Sequence, residues 1–234
     1  LREQVPLMKE ALQAMNIPIL TLEGYEADDI LGTVAKHCQA EGIEVSIVSG
    51  DRDLLQLADE HIKIRIPKTS RGTTNIYDYY PDDVKREYQV TPTEFIDVKA
   101  LMGDASDNIP GVPSIGEKTA TNLIVTYGSI ENAYDVSEIK PPRAQKSLME
   151  HYDMAQMSKE LAAICITCPI PFSYEDALIG NLYTPEAFKF MKRMEFKSIL
   201  NRFDAVSMSG AEGEEENIQK HFKVITNKKE AEKI

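Results

Sequence analysis

Seven acidic residues fall in three short clusters, and each cluster lies where the chain turns. Glu26, Asp28 and Asp29 stand in GYEADDILG, Asp51 and Asp53 in VSGDRDLLQL, and Asp104 and Asp107 in MGDASDNIPGVPSIGEKTA. Carboxylates held close together repel, so a fold that gathers them needs a compensating cation. Hard oxygen donors of this kind favour Mg²⁺ or Mn²⁺ over zinc. The third cluster runs directly into a Gly-rich turn, the sort of element that receives a phosphate oxygen on its backbone N–H groups. Divalent metal beside phosphate points to phosphodiester chemistry.

Charge bears on the partner. The net charge is −12, which by itself counts against a nucleic-acid ligand. The seven clustered carboxylates supply −7 of this, leaving −5 for the rest of the chain. Bound divalent ions would offset much of the cluster, so a DNA-binding face is expected to be local. No apolar run approaches the roughly 18 residues a membrane-spanning helix needs, so no membrane partner is expected. Cys38, Cys165 and Cys168 are too few for a disulfide framework. The CxxC at 165–168 has no second ligand pair for structural zinc, so the thiols read as packing groups in a reducing compartment.

Apolar periodicity and turn residues lay out the chain. Residues 3–15 read as a helix and 17–22 as a strand. A helix over 27–41 follows, closed by Gly42. Residues 43–48 read as a buried parallel strand, with a new helix starting near Arg52. Residues 62–66 and 75–77 read as strands around an SRGTT turn. This alternation predicts an α/β domain with a mostly parallel sheet flanked by helices. From Pro81 the pattern is helical, over 81–87, 92–102, 117–127, 129–134, 143–150, 154–164, 184–193 and 195–202. The expected organisation is a partial α/β core over 1–80, a helical part over 81–203, an acidic linker over 204–217, and the start of a further domain over 218–234.

Each cluster has two readings. Acidic residues in the first turn of a helix also complement its dipole, by about 0.3–1 kcal/mol each, so Glu26, Asp28 and Asp29 fit capping as well as metal binding. Asp51 alone would be an ordinary N-cap; Asp53 adds a second carboxylate at a spacing that lets both reach one ion. In the third cluster Asp104 and Asp107 precede a turn bounded by Gly111 and Gly116, with Val112 and Ile115 as its apolar staples. Lys118 and Thr119 open the next helix.

EADD, SGDRDLLQL and GDASDNIPGVPSIGEKTA, in this order and spacing, resemble the 5′-nuclease domain of bacterial DNA polymerases I, within the flap-endonuclease superfamily. The likeness runs from the first helix to about Phe203. It implies a PIN-like nuclease core followed by a helical region with a helix–three-turn–helix hairpin. It further implies two divalent metals, Glu26, Asp28 and Asp29 serving one and Asp51, Asp53, Asp104 and Asp107 mainly the second. Gly111, Val112, Ser114, Ile115, Gly116, Lys118 and Thr119 correspond to the duplex-gripping hairpin, with a K⁺ ion there in many members. The implied substrates are 5′-flap, nicked or gapped DNA in a bacterial cytoplasm.

Members of that family begin with a strand bearing an Asp, then a second Asp and a basic arch. This chain starts without them, so it reads as a fragment whose uncovered sheet edge a second copy could occupy. Two expectations of different class follow. One is a metal-dependent 5′ nuclease; the other is a non-catalytic module that grips the DNA backbone beside an incomplete metal site.

Overall fold

The computed structural model describes residues 2–136 and 139–203. The expected linker (204–217) and further domain (218–234) lie outside them. In chain order the elements are helix α1 (Gln4–Ala14), helix α2 (Ala27–Ala40), strand β1 (Val45–Val48), strand β2 (Ile62–Ser70) and strand β3 (Thr73–Tyr79). Helices α3 (Pro81–Tyr88), α4 (Pro92–Met102), α5 (Glu117–Tyr127), α6 (Ile130–Asp135), α7 (Pro142–Glu150), α8 (Tyr152–Ala162), α9 (Pro185–Arg193) and α10 (Lys197–Leu200) complete them.

The described residues divide into two compact units, one from 2–20 with 172–203 and one within 21–171. Within the described part of the first unit, Leu7, Ala11 and Ala14 of α1 pack on a small core of Ala187, Phe190, Met191 and Phe203. Thr184 caps α9 by accepting from the N–H of Ala187 at 3.0 Å, and its hydroxyl donates to the carbonyl of Ala14 at 2.5 Å.

The second unit carries the sheet. β1 pairs parallel with β2, and β2 pairs antiparallel with β3, so the described sheet is small and mixed. Antiparallel pairing is what the two-residue turn Arg71-Gly72 permits, both residues having positive φ as a tight hairpin demands. The expected strand over 17–22 is an irregular segment. It finds no ladder partner among the described residues, and a strand exists only where a neighbour takes its backbone groups. The helix expected near Arg52 is a 3-10 turn, Asp53–Leu57. Its three leucines, 54, 55 and 57, are all buried, and the run is too short for an α-helix before the turn at Asp59 delivers the chain into β2.

The core is continuous from the sheet into the helices. Leu54, Ile62 and Ile64 join Leu101, Leu123, Ile124, Ile130 and Leu148 in one cluster, each essentially inaccessible to solvent. At the centre runs α4. Thr91 accepts from the N–H of Glu94 while the Glu94 carboxylate accepts from the N–H of Thr91 at 2.8 Å, a reciprocal cap that fixes the start of the helix. Pro92 stands at the first helical position, where its missing N–H costs nothing.

Two charged side chains of α4 are buried. Asp97 is 4% exposed and faces Lys159 of α8 at 2.7 Å. Lys159 also reaches both oxygens of Glu131 at 2.9 and 3.0 Å. One ammonium thus ties α4, α6 and α8 together. Burial works to raise the Glu131 carboxyl, but the hydrogen bonds from Lys159 and Gln156 outweigh it and hold it at about 2.

Candidate metal centre

The other buried charge of α4 builds the site. Lys99, 9% exposed, projects its ammonium to 2.8 Å from Asp53 Oδ1 and 2.5 Å from Asp104 Oδ2. Asp53 comes from the turn after β1, and Asp104 from the loop after α4. Asp107 completes the group: one oxygen from each of Asp53, Asp104 and Asp107 lies within 4.8 Å of the others.

Local geometry explains why these residues meet. Gly103 ends α4 with φ +72°, and the chain then folds back on itself. Asp104 and Ile109 exchange both backbone hydrogen bonds, at 2.9 and 2.8 Å. The carboxylate of Asp104 accepts from the N–H of Ser106 at 2.8 Å and from the Ser106 hydroxyl. With Lys99 as the leading cause and Ser106 second, its carboxyl is held well below the usual range. Asp53 moves the other way: burial raises it, against the pull of Lys99.

The remaining predicted carboxylates occupy distinct places. Asp51 lines the same cleft, and its Oδ1 accepts from the N–H of Asp53 at 2.9 Å, a side-chain turn one residue ahead of Arg52, which holds the N-cap position that the sequence reading offered to Asp51. Asp28 is pushed up to about 6, first by burial and then by the charges of Asp51, Asp53, Glu26 and Asp29, which places it within the field of the first two clusters. Asp29 is spent on backbone: Oδ2 accepts from the N–H of Glu26 at 3.1 Å and Oδ1 from that of Cys165 at 2.8 Å. Glu26 is exposed at the helix start. Asp28 therefore holds its proton to higher pH in the folded than in the unfolded chain, and stability falls as pH rises from about 4 to about 6. Asp28→Asn is expected to raise the metal-free melting temperature more at pH 7.5 than at pH 4.5, read by thermal unfolding in chelator.

A cleft of about 1060 Å³ opens beside these groups, lined by Asp51, Asp53, Lys99, Asp104 and Asp107 and also by Glu117, Lys118, Thr121 and Asn122 of α5. The hairpin leading into α5 is built from inside. Gly111 has φ +66°, and a Cβ on it would lie 2.5 Å from the backbone nitrogen of Gly103. The N–H of Gly111 donates to the buried Ser158 hydroxyl at 3.1 Å, and that of Val112 to the Leu101 carbonyl at 2.8 Å. Val112 and Ile115 are each 3% exposed, the apolar staples expected of them. Thr119 donates its N–H to the Gly116 carbonyl at 3.0 Å. Of the predicted hairpin residues, Ser114, Gly116 and Lys118 are exposed, Thr119 is half-buried and Gly111, Val112 and Ile115 are buried. Ser114, with φ +66°, accepts from Arg143 at 3.1 Å. Arg143 thus adds a cation to the turn that sequence reading missed.

Lys99 was missed as well. Its signal was present: a lysine set among Phe95, Val98, Ala100, Leu101 and Met102 in a helix that must be buried, where a charge persists only if paired. Cys165 and Cys168 have their sulfurs 3.9 Å apart in the loop that Asp29 and Thr33 anchor. Among the described residues no helix is long and apolar enough to cross a membrane.

A mixed sheet carrying acidic turns, followed by a helical region with a glycine corner, is the architecture of a two-part nuclease fold. The family described as 5′-3′ exonuclease, N-terminal resolvase-like domain, matches residues 1–89, and its partner, 5′-3′ exonuclease, C-terminal SAM fold, matches residues 90–184. The chain belongs to this 5′-3′ exonuclease family. It is 44% identical over 208 residues to DNA polymerase I of Bacillus caldotenax, covering 88% of this chain and 24% of the polymerase. It is 40% identical over 227 residues to DNA polymerase I of Bacillus subtilis (strain 168), covering 97% of this chain and 25% of the polymerase. The chain thus spans about a quarter of these relatives' length. Among solved structures it is similar to the T5 5′-exonuclease with bound divalent zinc ions, with TM-score 0.55 and 25% identity over 75% of this chain and 61% of that one. The catalytic core of Rad2 in complex with a DNA substrate shares the fold, with TM-score 0.57 and 16% identity, covering 82% of this chain and 63% of that one.

Proposed function

We propose that this chain forms the 5′-nuclease part of a bacterial DNA polymerase I, acting in the cytoplasm on 5′-flap, nicked or gapped duplexes and on RNA primers during replication and repair. The observation that carries the reading is the convergence of Asp53, Asp104 and Asp107 within 4.8 Å beside a cleft. Their donor set suits Mg²⁺ or Mn²⁺: carboxylate oxygens only, two of the three half-buried, with room on the cleft side. Asp53, Asp104 and Asp107 would hold one ion, with Asp51 beside them. Asp28 and Glu26 would serve a second. When bound, two such ions stabilise the charge on the attacking and leaving oxygens of a phosphodiester together.

The chain's own residues supply position and selectivity. The 111–119 hairpin, whose Glu117 and Lys118 line the same cleft as the acidic group, is the proposed grip on the duplex backbone. The first-turn N–H groups of α5 at Glu117 and Lys118 have no backbone acceptor within the helix, as at any helix start, and they lie on a lining wall of the cleft. A phosphate oxygen there is fixed without sequence being read. K⁺ at this turn and the division into 1–80 and 81–203 belong to the same proposal.

Incubation with a 5′-flap duplex and Mn²⁺ separates cutting from mere binding. The expected result is metal-dependent release of 5′ products, lost in Asp51→Asn. Retention of the duplex without any product would favour the alternative, a module that only grips the DNA backbone. The grip has its own test. Affinity should fall steeply with salt, and Lys118→Ala should reduce the slope of log affinity against log salt by about one. A slope unchanged by the substitution would remove Lys118 from the interface.

A further inference from the structure

We infer that Lys99 is an internal counter-cation that occupies one oxygen of each of Asp53 and Asp104 and competes with the divalent ion for these carboxylates. This inference rests on the metal reading above and concerns how the same site is loaded.

Three observations carry it. The ammonium lies 2.8 Å from Asp53 Oδ1 and 2.5 Å from Asp104 Oδ2, bridging two of the three carboxylates that converge. Second, the lysine is 9% exposed and comes from the last turn of α4, flanked there by the buried Val98, Ala100 and Leu101, so it is not a surface side chain that drifted onto the nearest acid. Third, the other oxygen of Asp104 is already engaged by Ser106, through both backbone N–H and hydroxyl. Asp104 therefore has no carboxylate oxygen free of a donor, and an incoming ion must share or displace one.

The physical consequence has two opposite parts. Without metal, the +1 of Lys99 offsets the mutual repulsion of Asp53, Asp104 and Asp107, and keeps the group assembled. When a divalent ion approaches, the same charge repels it and holds the lone pairs it needs. Lys99 is thus a positioning residue that stabilises the empty site and weakens metal binding, so that loading is graded rather than saturated at low metal. A residue that merely supported the carboxylates would act with one sign only: removing it would loosen both the fold and the metal.

The test is a Mn²⁺ titration of the whole chain, without DNA, read by the electron paramagnetic resonance of free Mn²⁺ and by metal-induced shift in melting temperature. Lys99→Met is expected to lower the metal-free melting temperature, to bind Mn²⁺ about tenfold more tightly, and to show a larger metal-induced shift than wild type. Lys99→Arg, which keeps the charge, is expected to stay within about threefold of wild-type affinity. Should Lys99→Met fail to fold without metal, Lys99→Gln carries the same expectation, because it removes the charge while leaving a hydrogen-bond donor. Equal or weaker Mn²⁺ binding by the neutral variants, with wild type binding normally, would overturn the inference and leave the metal reading standing. Absence of Mn²⁺ binding in wild type and variants alike would overturn both.

Discussion

Gly111→Ala is expected to cost about 2–5 kcal/mol of stability and to dismantle the corner on which both halves of the site depend. The left-handed backbone at φ +66° is worth about 1–2 kcal/mol against any residue with a Cβ. Crowding adds about 1–3 kcal/mol, and here the obstacle cannot swing aside. The new methyl would meet the nitrogen and Cα of Gly103 at 2.5 and 2.7 Å, and the carbonyl carbon of Met102 at 2.8 Å. All three are backbone atoms at the end of α4. Relief requires separating the 103–104 turn from the 111–112 turn, which moves Asp104 away from Asp53 and Lys99 while breaking the Val112–Leu101 hydrogen bond. Urea unfolding measures the first consequence. Gly116→Ala, whose added methyl meets nothing within 4 Å and whose φ is −96°, serves as the control, and a loss there as large as at Gly111 would refute the explanation.

Lys159→Met should be comparably damaging, by about 3–5 kcal/mol, because it strands a buried carboxylate. Asp97 is 4% exposed and has Lys159 at 2.7 Å. The N–H of Ile130, its other donor, is at 3.5 Å and too distant to compensate. Burial already raises the Asp97 carboxyl, with Lys159 opposing that rise. In Lys159→Met the acid is expected to stay neutral to higher pH, so the deficit should be smaller in acid than at pH 7.5. Asp97→Asn combined with Lys159→Met removes both charges and should recover much of the loss. A double variant no more stable than Lys159→Met alone would show that the lysine acts through packing and not as a counter-charge.

Much of this architecture is legible from residues whose conformational demands are local. Thr91-Pro92 with Glu94 announces the start of α4, and the helix spans 92–102 as the periodicity implies. Gly103, Gly111 and Gly116 announce the turns, and Val112 and Ile115 are buried as an apolar pair inside a polar segment must be. The irregular segment over 17–22 was misread because strand formation depends on a partner elsewhere, which a local pattern of Ile17, Ile19 and Leu20 does not contain. The 3-10 turn after Asp51 escaped for a related reason: the DLLQLA run looks amphipathic, but tertiary packing buries all three leucines at once.

The site divides along the same line. Three carboxylates from the second and third clusters converge because a strand end and a helix end meet, and both were visible as turns. Asp29 shows the limit. Its helix-start position fits metal binding and capping equally by sequence, and only the loop at Cys165, 136 residues away, reveals that both its oxygens take backbone donors. Lys99 carried a signal in its apolar helix, but its partners Asp53 and Asp104 lie outside that helix; Lys159 carried none, because Asp97 and Glu131 come from two other helices.

Asp53, Asp104 and Asp107 are the proposed ligands of a divalent ion. Crystals of the chain grown with Mn²⁺ and measured at the manganese absorption edge locate that ion directly by its anomalous scattering. The expected result is a peak within direct coordination distance of all three carboxylates, lost in Asp53→Asn. A map with no anomalous peak among these residues, at metal concentrations that saturate binding in solution, would contradict the account.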